Sequence, residues 1–178
     1  MKKLFLLYAA IAALLLASCA RPVIKTNLLA RGMRDVPMSE LAGHPQKYSD
    51  QLFVLGGIIA NTTVTDRGTF IEALFVPVDK KGYFRHVAGN GRFIAVWPRS
   101  SGILDPLMYR AGRRFTVAGT FAGIKHGKIG SANYVFPVID AQQIFLWKIE
   151  RYAPAYFYYP YDYWYPYPYW RFGFYWWQ

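Results

Sequence analysis

From Gln51 to Ile149 the chain runs as a series of short apolar segments, each closed by a turn-forming stretch. That punctuation constrains the fold more than any other feature. Gln51–Ala60 is apolar almost throughout and contains Gly56-Gly57, and Asn61–Gly68 is turn-rich. Thr69–Val78 then sets Phe70, Glu72, Leu74 and Val76 against Ile71, Ala73 and Phe75. Alternation with period two is the strand period, because successive side chains point to opposite faces. Arg92–Trp97 follows between Gly89-Asn90-Gly91 and Pro98, and Arg113–Ala122 lies between Gly112 and Gly123. Lys125–Lys128 reads as a turn, with Asn133–Val138 and Gln142–Ile149 as two late strands. Short strands with glycine-bearing turns predict a small barrel or sandwich. Paired glycines in the first strand predict a bulge or a close approach of another backbone. One short helix is expected at Pro37–Ala42, with Ser39 as N-cap and Gly43 and Pro45 ending it. A helix leading into a glycine-bearing first strand suggests an OB-type arrangement. The expected fold class is all-β: a small antiparallel β-barrel (OB-like) with one short N-terminal helix and an irregular, aromatic-rich C-terminal tail.

The amino terminus carries a separate signal. Met1-Lys2-Lys3 is a positive lead-in, and Leu4–Leu16 follows with no charge over 13 residues. That length suits a signal-peptide core of roughly 7–15 residues and falls short of the about 20 that cross a bilayer. Leu16-Ala17-Ser18-Cys19 then has the form of a lipobox, with small residues ahead of a thiol that accepts diacylglycerol. Cys19 is the only cysteine, so it has no disulfide partner within the chain. Cleavage before Cys19 and lipid attachment at Cys19 are expected. Two or three acyl chains, at about 0.8 kcal/mol per buried CH₂, make such an anchor effectively permanent. Ala20 rather than Asp follows the cysteine, which favours the outer membrane, with the domain facing the periplasm. The expected division is 1–18 signal peptide, 19–37 tether, 38–151 barrel domain and 152–178 aromatic and proline-rich tail.

Charge and composition bear on partners. Cleavage removes only Lys2 and Lys3 from a formal net charge of +11, so the mature chain stays basic. Such a chain is drawn to anionic surfaces. The compartment points to anionic lipid or another envelope component and away from nucleic acid, although the same charge also serves solubility. Tyr152–Gln178 holds half of the chain's Trp, Tyr and Phe residues, interrupted by Pro154, Pro160, Pro166 and Pro168. Prolines at those steps oppose both helix and central strand. Tyr and Trp suit membrane interfaces, where the ring is in apolar surroundings and the polar tip in water. The tail is accordingly expected on a membrane, protein or glycan surface, with folding back onto the domain as the alternative.

Little in the chain suggests catalysis. His44, His86 and His126 sit in turn-like contexts without metal-ligand spacing. No catalytic residue, metal or cofactor is expected, and the chain reads as a non-enzymatic module. Glu72 shares a face with Phe70 and Leu74, where it is half-buried, paired across the sheet with Arg92 or Arg113, or at a solvated edge. A structural role is favoured over a catalytic one. Gly91-Arg92 and Gly112-Arg113 are candidates to bring arginines to barrel mouths, where forked donors suit phosphate or carboxylate. Simple strand-end solvation competes with that anion site. Gly102–Pro106, with Asp105 before Pro106, reads as a turn.

Taken in order, a distinctive series of segments appears along the chain. After the lipobox come Gly56-Gly57-Ile58-Ile59-Ala60-Asn61, Thr69-Phe70-Ile71-Glu72 and Gly91-Arg92-Phe93. Gly102-Ile103-Leu104-Asp105-Pro106 with Tyr109, Gly112-Arg113, Thr116-Val117-Ala118-Gly119 and Tyr134-Val135-Phe136-Pro137-Val138 complete it. Together these resemble the Slp family of starvation-inducible outer-membrane lipoproteins over roughly residues 1–149. The resemblance implies an envelope lipoprotein linked to stationary-phase and stress adaptation, with no established enzymatic activity and no catalytic residues to carry over. The aromatic tail extends beyond this shared part. A structural or assembly role, with the tail docking on a protein, glycan or membrane surface, is the competing expectation.

Overall fold

The apolar run after Gln51 needs cover on both of its faces, and the architecture supplies it. The computed structural model describes residues 21–85 and 89–149. Five strands, β1 (Leu52–Thr65), β2 (Gly68–Val76), β3 (Arg92–Pro98), β4 (Arg114–Ile129) and β5 (Ala132–Leu146), close in the order β1-β2-β3-β5-β4. This is an all-β barrel with the Greek-key closure of the OB type. All pairings are antiparallel except β3 with β5, which runs parallel from Ile94–Val138 to Val96–Asp140. The parallel pair follows from closure: β5 returns from its hairpin with β4 and meets β3 pointing the same way.

Alternate residues fill the interior. Phe53, Leu55, Ile71, Ala73, Phe93, Ala95, Phe115, Val117 and Ile139 are fully buried there. Two helices precede the barrel, α1 (Thr26–Arg31) and α2 (Met38–Gly43), followed by a 3₁₀ turn at Pro45–Tyr48. Met38 and Leu41 of α2 join the same core. The connection between β3 and β4 packs Leu104 and Tyr109 against that core. Thr69, wholly buried, accepts the Leu104 N–H at 3.1 Å, and Thr62 donates to the Tyr109 carbonyl at 2.6 Å.

Several local expectations are corrected. The expected tether from 19 to 37 is in part folded: Ile24 and Leu29 are buried against Val54, Val78 and Ala118 on the outside of the barrel wall. Met33 exchanges backbone hydrogen bonds with Leu52 and Val54, each at 2.8 Å, at an edge that β2 is too short to reach. Six residues of α1 are too few to display a helical period, so this second helix was not visible as one. Ser39 lies inside α2; Pro37 occupies the cap, with no side-chain hydrogen bond there. The expected turn at Lys125–Lys128 is strand, and the reversal falls at Gly130, whose φ is +61°. β1 likewise continues through Asn61–Thr65, and the two expected late strands are one, β5, bent by register shifts against β4.

Gly56 meets the expectation of a close backbone, since a Cβ there would lie 2.6 Å from the Val76 carbonyl oxygen, whereas Gly57 is crowded by side chains and the register shift of β1 falls at Ile59/Asn61. A Cβ on Gly57 would lie 2.7 Å from Cε1 of Phe115 and 3.0 Å from Cβ of Ala73. Gly57→Val should therefore cost about 1–3 kcal/mol, the usual range for overpacking a filled core. Urea denaturation followed by circular dichroism measures it, and an unchanged midpoint would mean that the Phe115 ring yields freely.

Candidate functional site

Glu72 and Arg92 sit on adjacent strands, diagonal to each other and two register pairs apart, Glu72 opposite Ile94 and Arg92 opposite Leu74. On the outer face Arg92 Nη1 approaches Glu72 Oε1 to 2.6 Å, both side chains being partly exposed. The expected cross-sheet pair is therefore with Arg92, not Arg113. Arg92 is further held by its own N–H, which donates to the Tyr134 hydroxyl at 2.7 Å. The carboxylate borders a shallow depression where Arg67 and Lys125 lie over the Phe70 ring, at 5.7 and 5.5 Å from its centroid.

Arg113 is built in differently. Its Nη1 donates to the Met108 carbonyl at 3.0 Å and its Nη2 to the Trp147 carbonyl at 2.7 Å. The two candidate anion-binding arginines are thus not gathered into one site: Arg113 lines the larger cleft described next and Arg92 does not. Burial pushes the Tyr109 hydroxyl up in pKa, and nearby Arg113 opposes that shift. His44 approaches Glu40 at 3.4 Å one helical turn away, His126 lies in β4 opposite Val135, and His86 falls outside the described residues. Among the described residues, no three His, Cys, Asp or Glu side chains come together as a metal site. Cys19 and the tail from 152 to 178 also lie outside them.

The cleft, with a volume of about 470 Å³, opens on the outside of the barrel wall beside the start of β4 and the end of β5. Its keystone is Trp147. The Trp147 N–H donates to the Arg114 carbonyl at 2.9 Å. Its indole N–H donates at 3.1 Å to the hydroxyl of buried Thr116, which in turn donates to the Gly82 carbonyl at 2.9 Å. That chain ties the β2–β3 connection to the wall and brings Tyr83 and Phe84 to Trp147, with ring centroids 5.3 and 5.6 Å away. Phe145 packs edge-on from beneath at 5.0 Å. Such pairs add about 0.5–1.5 kcal/mol each beyond burial. Gly56 makes room for this cluster, since a Cβ there would lie 2.5 Å from Cε1 of Phe84.

Cations ring the aromatic floor. Arg110, Arg114 and Lys148 are exposed at its margin with Arg113 among them, and the Arg114 guanidinium stands 5.8 Å from the Phe84 centroid. Among the described residues, Arg110, Arg114 and Lys148 form no ion pair; those that occur involve other cations. Apolar rings beneath exposed cations suit a ligand with an anionic head and an apolar or planar body. Only the Gly112-Arg113-Arg114 step was visible beforehand. Tyr83, Phe84, Arg110 and Trp147 are scattered along the chain and share no local pattern.

Comparisons with known proteins bear on this chain at three levels. The family model described as the outer membrane lipoprotein Slp family matches residues 16–176. That span runs into the aromatic tail, past the shared part drawn from the motifs alone. An uncharacterized protein of Haemophilus influenzae is 37% identical over 97 residues, covering 53% of this chain and 51% of that protein. The chain thus spans about half the length of the curated relative it matches. Among solved structures, a small single-stranded DNA-binding protein from Streptomyces coelicolor is similar over 55% of this chain and 94% of its own. The identity there is 13% and the TM-score 0.32, too low to bear on ligand or function.

Proposed function

The chain belongs to the outer membrane lipoprotein Slp family, and on that premise we propose that it is a non-enzymatic binding module of the cell envelope. It is anchored to the outer membrane through lipid on Cys19, faces the periplasm, and serves a protective role under starvation or other stress. Its site is the cleft around Trp147, and its ligand an envelope component with an anionic head and an apolar body. The observation that supports this reading is the pairing of an aromatic floor with exposed Arg110, Arg114 and Lys148. The charge of the whole chain, +11, favours the same class of ligand. Glu72, the strand acid with a cation beside it, is already satisfied by Arg92, which supports a structural rather than a catalytic role for it.

A direct test uses the non-lipidated full chain, Cys19→Ser, titrated with decyl phosphate and with an uncharged decyl sugar. Decyl phosphate should bind saturably, and Arg114→Gln should weaken it about tenfold, or roughly 1.4 kcal/mol. Equal binding of the uncharged amphiphile would refute the site. Turnover of any envelope substrate that disappears on Glu72→Gln would refute the non-enzymatic reading. A second reading, docking through the aromatic tail, draws support from the last described residue, Ile149, which lines the cleft.

A further inference from the structure

Both ends of the described chain meet at the cleft. Arg21 is held there by the Tyr83 hydroxyl, which donates to its carbonyl at 2.9 Å, and, two residues on, the Val23 N–H donates to the Lys81 carbonyl at 3.1 Å. Cys19 stands only two residues before Arg21, and two residues of chain span at most about 7 Å. The other end, Ile149, lines the cleft and is 55% exposed. The same side carries an apolar projection. Arg113 grips the Met108 carbonyl, tying to the cleft a turn on which Leu107 is 80% and Met108 55% exposed. Single exposed apolar residues are ordinary, but these two are adjacent on a turn that Arg113 ties to the cationic cleft. β4 leads away from this side over 16 residues to its hairpin with β5, roughly 50 Å of strand.

The geometry points to this side of the barrel as a membrane-docking face, in which anionic phospholipid phosphates lie against Arg110, Arg114 and Lys148 while Leu107 and Met108 enter the acyl boundary. The inference deepens the cleft reading above and rests on lipid attachment at Cys19. An anchor two residues from the cleft holds the barrel within reach of headgroups, so each weak contact acts at high effective concentration. Lys and Arg near an anionic leaflet attract it within a Debye length. Tyr83 and Trp147 have the amphipathic rings that favour headgroup depth. The β4–β5 hairpin then points away from the membrane.

The test uses the full chain carrying Cys19→Ser, with vesicles of phosphatidylcholine alone and of phosphatidylcholine mixed with phosphatidylglycerol. Flotation should recover the protein with the mixed vesicles, and high salt should release it. Combined Arg110→Gln, Arg114→Gln and Lys148→Gln should weaken this binding about tenfold or more, with an unchanged melting temperature showing that the variant is folded. A label on Leu107→Cys should be quenched by nitroxide-bearing lipid, and one on Lys128→Cys, near the hairpin tip, should not. Equal quenching at both positions overturns the proposal. So does binding that survives the triple change and is lost on deleting residues 152–178, which would assign the membrane contact to the tail. Protein that binds decyl phosphate but ignores the mixed vesicles overturns the docking face alone and leaves the cleft ligand standing; failure with both removes both.

Discussion

Phe115→Ala should lower the folding free energy by about 3–5 kcal/mol, the range for deleting a buried phenylalanine ring. Phe115 is wholly buried. Its ring packs on Phe93 with centroids 6.2 Å apart, and its edge fills the space that Gly57 leaves open. On the backbone it pairs with Gly57 on one side and Leu146 on the other. The lost ring therefore leaves a void bounded by three strands that are fixed to one another by ladder hydrogen bonds, and the void closes poorly. A domain of this size holds only about 5–15 kcal/mol in total, so the midpoint of urea unfolding should fall by a large fraction. A loss below about 1 kcal/mol would show that the ring is not at the centre of a closed barrel. Coupling to Gly57 sharpens the test. Gly57→Ala should cost less in the Phe115→Ala background than alone, because the Cβ then occupies part of the vacated volume.

Cys19→Ser should move the protein from the membrane fraction to the soluble one. The motive is chemical: a serine hydroxyl does not take the thioether-linked diacylglycerol, and no other cysteine can substitute. One acyl chain holds a protein only marginally, whereas two or three together bind beyond practical release. Removing all of them should change partitioning by orders of magnitude. Uncleaved precursor should also accumulate. Fractionation measures the shift, and the intact mass of the wild-type amino-terminal peptide reports the lipid itself. An unmodified Cys19 in the mature protein would refute the anchor. Any adhesion that remains in the variant should be released by salt, because it depends on Arg110, Arg114 and Lys148 rather than on acyl chains.

What the sequence determined by itself was local. Strand segments were legible because alternation along Thr69–Val76 and the unbroken apolar run before Ala60 are properties of neighbours. The tight packing at Gly56-Gly57 was legible because a strand wastes glycine unless something comes close. The candidate pair of Glu72 with Arg92 was legible in kind, since both residue types were visible, but the choice of Arg92 over Arg113 required the register. Only the tertiary structure decided the parallel pairing of β3 with β5, the fusion of two expected late strands into one, and the covering of the outer wall by Ile24 and Leu29. It alone brought Tyr83, Arg110 and Trp147 to one cleft, with Arg21 held at its Tyr83 side. The physical reason is distance along the chain. Side-chain direction repeats every two residues and leaves a local pattern, while closure of a barrel joins residues dozens of positions apart, and no window of sequence records which edges will meet.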